Sequence, residues 1–340
     1  MCSMKAAIYR GKESIELSAL PTPVTGDDDV VIQNLYASIC GTDVAVYRHG
    51  PGTGHRITVG DEFGHEAISR VAQVGKNVKD FAVGDVVYPY PLLARGDTRR
   101  AGTLGAFSEC ILVPNAQLNR KLYKLDPRIP VRMGCLIEPF TVGCRAARRS
   151  GPKAGEKAIV FGAGTIGIAA AIALQHFGCG KVLVCDHSDF RLGRAEKLGF
   201  EICNTARIDL AAQAAAIFGT APSLSGSTAD ADIYIDAAGA PDILPAWQRM
   251  GKIGSRMVVV AVSAGLKNVD VLHMTYAQQA LIGSGGYMPE DVDTVMEIMA
   301  CGKWDIESII THEFPWGQLP QAIEQAGKVN EALNVIIRYE

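Results

Sequence analysis

Hydrophobic and polar positions change rhythm once along this chain. Up to about residue 140 the apolar positions come in short runs or alternate with polar ones, as in DVVIQNLYAS at 29–38, HEAISRVAQVG at 65–75 and AVGDVVYPY at 82–90, with Gly, Asp and Pro closing each run. Alternation at period two with such punctuation predicts strands joined by turns, and so a compact β-rich domain. From about 150 the strand-like runs KAIVFG, KVLVCD, ADIYIDA and RMVVVAV are separated by longer stretches of helical period. That order predicts a parallel sheet with helices on both faces. After QALIGSGGY the pattern predicts one amphipathic helix over PEDVDTVMEIMACGK and a terminal strand ALNVIIRY, both expected to return to the first domain. GTAPSLSGSTAD at 219–230 is read as a surface loop, and no internal repeat is found.

Composition narrows the class. A chain of 340 residues exceeds what one core usually supports, which favours two domains, and 48% hydrophobic residues is normal for a packed globular protein. The 33 basic and 36 acidic residues are interspersed, giving a formal charge of -3, which argues against nucleic acid as the main partner. The N-terminus lacks the apolar core of a signal peptide and no run approaches eighteen apolar residues, so a cytoplasmic location is expected. Nine cysteines, an odd number with no CxxC pair, are expected to be reduced and mostly buried.

Two constellations carry chemistry. Gly162, Gly164 and Gly167 spell G-x-G-x-x-G directly after the strand KAIVF, and Thr165 and Ile166 lie at the start of the helix that the motif opens. The first glycine allows a tight turn, the second lets backbone approach a pyrophosphate, and the third lets helix pack on strand, while the helix N-terminus offers N–H donors. The next strand ends in Asp186, about 20 residues on, where a carboxylate meets the adenosine ribose hydroxyls. Arg191, at the start of the following helix, is placed to reach an adenine edge or a phosphate.

The second constellation is Cys40, His65 and Glu66, whose soft, borderline and hard donors together suit zinc. Taken singly, each has an ordinary explanation as a buried thiol, a satisfied histidine or a surface carboxylate. Glycines beside Cys40 and His65, in CGTD and FGHE, let the backbone aim these side chains inward. A fourth donor, Glu138 in LIEPF, sits among apolar residues, where a carboxylate is costly unless paired or metal-bound.

The ordered motifs ICGTD, GDEFGHE, LIEPF, VFGAGTIG and IITHEFP resemble the zinc-dependent medium-chain dehydrogenase/reductase superfamily, most nearly its sorbitol and polyol dehydrogenase branch, over nearly the whole chain. The resemblance implies an α/β fold in which a doubly wound Rossmann parallel sheet is inserted into a GroES-like β-rich catalytic domain, with boundaries at residues 1–140, 141–284 and 285–340. It implies one catalytic zinc, with Cys40 and His65 as ligands and Glu66 and Glu138 binding directly or through water. Asp43 resembles the carboxylate that orients the histidine ligand, and Thr42 the hydroxyl that meets the substrate oxygen. The lobe PYPLLARGDTRRAGTLGAF lacks the four cysteines that many relatives use for a structural zinc. Ala45 stands where many relatives end a proton relay with histidine, leaving His49 or water to take that place.

Hydride transfer between NAD and a secondary alcohol of a polyol, sugar acid or sugar phosphate is the expected activity, in a homodimer or homotetramer. The competing readings are a zinc-free quinone reductase type and a non-catalytic NAD-binding sensor or structural protein on the same fold. Arg48, His49, His55, Arg56, Arg95, Arg99 and Arg100 are read either as contacts for an anionic or hydroxyl-rich substrate or as ordinary surface charge.

Overall fold

The computed structural model describes residues 3–94, 103–263 and 265–339. Arg95, Arg99 and Arg100 lie outside them. The chain forms two compact units, one of Met1–Glu138 with Glu307–Glu340 and the other of Pro139–Ile306.

In the first unit the strand Val30–Ser38 is the hub, buried along most of its length. It pairs antiparallel with Glu66–Val74, with Cys110–Val113 and with the C-terminal strand Asn334–Arg338. Ile310–Pro315 then adds parallel to Asn334–Arg338, while Val86–Pro89 and Leu122–Lys124 extend the other edge. Ile32, Phe63, Val71, Phe107 and Ile337 are buried in the core that this sheet covers. Each such side chain contributes about 1.5–3 kcal/mol through burial. The antiparallel hairpin Ser3–Gly11 with Ser14–Pro21 completes the β-rich part.

This register places the first constellation. Ser38 pairs with Glu66, so the end of one strand lies against the start of its neighbour. Cys40, two residues past Ser38, and His65, one before the strand Glu66–Val74, are thereby brought together across about one strand spacing of 5 Å.

The second unit holds six parallel strands in the order Glu201–Asn204, Lys181–Asp186, Lys157–Phe161, Ile233–Asp236, Arg256–Val259, Ala280–Gly283. In order of appearance that is 3-2-1-4-5-6, the doubly wound arrangement for dinucleotides.

Two expectations need correction. GTAPSLSGSTAD is not irregular: Thr220–Ser223 and Gly226–Ala229 form an antiparallel hairpin about the turn Leu224–Ser225, with Gly226 at φ 112. Its strands are too short and polar to show an alternating pattern. Second, the helix Pro289–Ala300 belongs to the second unit, and the return starts at Glu307 rather than 285. The helix is anchored by a fully buried Asp291, whose carboxylate accepts Arg148 Nε at 2.7 Å, and by Val292, Val295 and Ile298 packed inward. Trp304 Nε1 then donates to Gln175 Oε1 at 3.1 Å, which keeps the chain in this unit up to the crossing. Among the described residues no helix is long and apolar enough to cross a membrane.

Candidate functional site

Cys40, His65 and Glu66 each present a ligand atom within 4.8 Å of the other two. His65 turns Nε2 towards Glu66 Oε1, at 3.9 Å, and Nδ1 towards Asp43 Oδ1, at 3.7 Å. Glu66 Oε2 is buried and has no hydrogen-bond partner, against the rule that buried polar atoms are paired. A thiol, an imidazole and a carboxylate within 4.8 Å of one another, the last with an unpartnered buried oxygen, fit a zinc ion in both chemistry and need. Glu138, on the first turn of the helix Ile137–Arg149 and buried at 7% exposure, is close enough for its charge to act on the Cys40 thiol. It is not one of the donors within 4.8 Å of the cluster.

Behind the cluster Asp43 is fully buried in the first turn of the helix Gly41–His49. Its Oδ2 accepts the Cys40 backbone N–H at 3.0 Å, and its Oδ1 lies 2.7 Å from His55 Nε2. One carboxylate thus braces the loop of Cys40 and faces two imidazoles, whose rings stand 5.4 Å apart.

The structure therefore brings in His55 and not His49. His49 is exposed in the last turn of its helix, nine residues and about 13 Å of helical rise from Cys40. The chain then doubles back through Gly50 and Gly52, both at positive φ, and Gly54 passes so close to Thr42 that a Cβ there would strike its carbonyl oxygen. That reversal delivers His55 to Asp43. The glycines of GPGTGH were the signal for it, since only a chain free of side chains can fold back this tightly.

Burial dominates the electrostatics of the site. Burial, and after it the nearby Glu66, Asp43 and Glu138, push the Cys40 thiol well above its ordinary value. Burial likewise pushes Glu66 up to about 8, outweighing the hydrogen bond from Ser38. Burial pushes Asp43 up, but His65 and His55 outweigh it and hold the carboxyl below its usual range. His55 is raised in turn because Asp43 outweighs its desolvation. A cation seated among these groups would remove the penalty.

A pH dependence of the metal-free protein follows. The folded state keeps a proton on Glu66 that the unfolded chain, near 4.5, releases. The stability this proton confers is complete below about pH 4.5 and is lost as pH rises towards about 8, on the order of a few kcal/mol. Thermal melts of chelator-treated protein should fall between about pH 5 and pH 8, and zinc should abolish the fall. A metal-free protein equally stable across that range would contradict the assignment.

In the second unit Gly162 follows Lys157–Phe161 at φ 102, and a Cβ there would lie 3.1 Å from the Ala237 carbonyl carbon. A Cβ on Gly167 would overlap the Gly162 carbonyl oxygen, whereas one on Gly164 would meet nothing nearer than an Arg191 guanidinium nitrogen at 3.6 Å. Thr165 and Ile166 open the helix Thr165–His176 at this turn. Asp186 ends its strand with Oδ2 accepting Ala163 N–H at 2.7 Å and Oδ1 accepting the N–H groups of His187 and Ser188. Asp186 therefore also ties down the glycine loop, a role not visible in the spacing. Arg191 lies partly buried over Gly164, and desolvation lowers its pKa.

Residues 26–123 match the family described as alcohol dehydrogenase GroES-like domain, and residues 165–300 that described as zinc-binding dehydrogenase. The chain is 31% identical to 2-dehydro-3-deoxy-L-galactonate 5-dehydrogenase of Pseudoalteromonas atlantica, covering 94% of each chain. It is 26% identical to sorbitol dehydrogenase of Bos taurus, covering 94% of this chain and 92% of that one. The crystal structure of 2R,3R-butanediol dehydrogenase from Bacillus subtilis shares the fold at a TM-score of 0.84 and 24% identity, over 98% of this chain and 99% of that one. An Escherichia coli oxidoreductase of unknown specificity does so at 0.87 and 24%, over 100% of both. With the donor cluster in a GroES-like unit and the glycine loop in a doubly wound one, the chain belongs to the zinc-dependent medium-chain dehydrogenase/reductase superfamily of oxidoreductases.

Proposed function

We propose that this chain is a zinc-dependent dehydrogenase that moves a hydride between a secondary alcohol of a polyol, sugar acid or sugar phosphate and NAD. The observation that carries this reading is the gathering of Cys40, His65 and Glu66 donor atoms within 4.8 Å of one another, with Glu66 Oε2 buried and unpartnered. These three would hold one zinc per chain, which when bound polarises the alcohol oxygen as a Lewis acid. Asp43 fixes the Cys40 loop and faces His65 Nδ1, a contact that sets the ring's orientation and basicity. The Thr42 hydroxyl, beside the Cys40 sulfur, receives the hydrogen bond of the substrate hydroxyl. Glu138 supplies a nearby carboxylate for a water-mediated contact. The absence of cysteine from residues 89–107 supports a single zinc.

The relatives' names, a sugar-acid dehydrogenase and sorbitol dehydrogenase, support a polyhydroxylated substrate. A non-catalytic NAD-binding protein would leave the donor cluster without a use. The test is NADH formation from a panel of polyols, sugar acids and sugar phosphates with ethanol alongside. Turnover of a secondary alcohol is expected; ethanol outperforming every other compound would refute the reading.

Asp186 supports NAD over NADP, because a 2′-phosphate would meet its charge at close range, with His187 and Arg191 near to soften this. Asp186→Ala should narrow the preference and, by freeing the Ala163 N–H, also weaken NAD binding itself. Steady-state kinetics with both cofactors check it, and higher catalytic efficiency of the unaltered protein with NADP would overturn it.

A second copy of this chain is the expected partner. The edge strand Ala280–Gly283 exposes Leu281, and Val271, Leu272 and Tyr276 are exposed on the helix Val271–Ala277 in the same unit. Apolar groups beside a sheet edge favour association. Light scattering should give a dimer or tetramer; a monomer alone would count against it.

A further inference from the structure

Glu66 is supported from behind by two buried polar side chains. It pairs in register with Ser38, and Ser38 pairs in turn with Ile336 on the C-terminal strand, two residues beyond Asn334. Register partners share a face of a sheet, as do residues two apart on one strand, so Glu66, Ser38 and Asn334 lie on one face. Ser38 is 0% and Asn334 3% exposed. Asn334 Nδ2 donates to Ser38 Oγ at 2.9 Å. An amide nitrogen only donates, so Ser38 is the acceptor there and its own O–H is left to donate. The register sets that O–H beside the Glu66 side chain, on the same face of the sheet.

Buried hydroxyl and amide groups at this depth cost free energy unless paired. Apolar side chains would serve a purely structural sheet equally well at these positions. Here the polar chain ends on a carboxylate whose Oε2 is left with no partner. Resting on the zinc reading given above, we propose that Ser38 and Asn334 are positioning residues, which hold the Glu66 carboxylate aimed so that it binds the metal directly. Asn334 orders Ser38, Ser38 orders Glu66, and the C-terminal strand thereby reaches the metal site without touching the ion.

Zinc dissociation constants of the full chain, measured by competition with a chromogenic chelator, test this, together with the visible absorption of the cobalt-substituted protein. Ser38→Ala should weaken zinc binding by about 10–100-fold and shift the cobalt bands, as loss of a group that orients a ligand does. Ser38→Thr, which keeps the hydroxyl, should restore both. Asn334→Leu should weaken binding in the same direction, and it gives the reading if Ser38→Ala does not fold. NADH binding should stay unchanged throughout. Unchanged affinity and cobalt bands in a folded Ser38→Ala or Asn334→Leu, or a folded Ser38→Thr as weak as Ser38→Ala, would overturn the assignment alone. An unaltered chain that takes up no zinc would overturn the metal reading beneath it.

Discussion

Cys40→Ser should lose zinc and at least about 10³-fold in turnover while still binding NADH. Removing a Lewis acid forfeits several kcal/mol of stabilisation of charge developing on the substrate oxygen, and 1.36 kcal/mol is tenfold in rate. The swap barely changes volume, and Cys40 caps its helix through backbone atoms, Asp43 and Val44 N–H donating to its carbonyl at 3.0 and 3.2 Å. The fold should therefore survive. Nucleotide binding should persist because the glycine loop belongs to the other compact unit. Elemental analysis, turnover and fluorescence titration with NADH read the three effects separately. Full activity in Cys40→Ser would remove the cysteine from the metal site.

Alanine at Gly164 and at Gly167 should fail in opposite ways. A methyl group at Gly167 would overlap the Gly162 carbonyl oxygen, so the strand-to-helix turn must open. Gly167→Ala should cost about 3 kcal/mol or more and lower the melting temperature. Gly164 has φ -75 and ψ 178, which alanine adopts freely, and only the flexible Arg191 lies near. Its stability should stay within about 1 kcal/mol, because the reduced freedom of the unfolded chain is offset by alanine's poor fit at this helix N-cap. The added methyl nevertheless stands where backbone must approach the pyrophosphate, so NADH affinity should fall about tenfold or more. Melting curves and NADH titrations of both variants check this. A Gly164→Ala that binds NADH normally would move the pyrophosphate elsewhere.

The parts legible in the sequence were those written in local order. Alternation of strand and helix marked the parallel sheet, and Gly162, Gly164, Gly167 and Asp186 lie within one strand–helix–strand unit. Cys40, His65 and Glu66 stood out by donor type. What escaped notice depended on which strand pairs with which. Ser38 faces Glu66 and lies beside Asn334 only because three strands distant in sequence share a register, and no periodicity within one strand names its neighbour. His55 was visible only as one of several charges, because its place beside Asp43 is set by a glycine reversal and not by spacing. The helix Pro289–Ala300 carried a clear amphipathic pattern, but its partner, the Arg148 that meets Asp291, is 143 residues away.

One zinc at Cys40, His65 and Glu66 is expected to drive alcohol oxidation. The most direct test is NADH formation from the best secondary-alcohol substrate while the protein is stripped of metal by a chelator and titrated back with zinc. Activity should vanish on stripping and return linearly until about one zinc per chain is bound, then level off. Turnover that persists in fully metal-free protein, or that needs two zinc ions per chain, would contradict it.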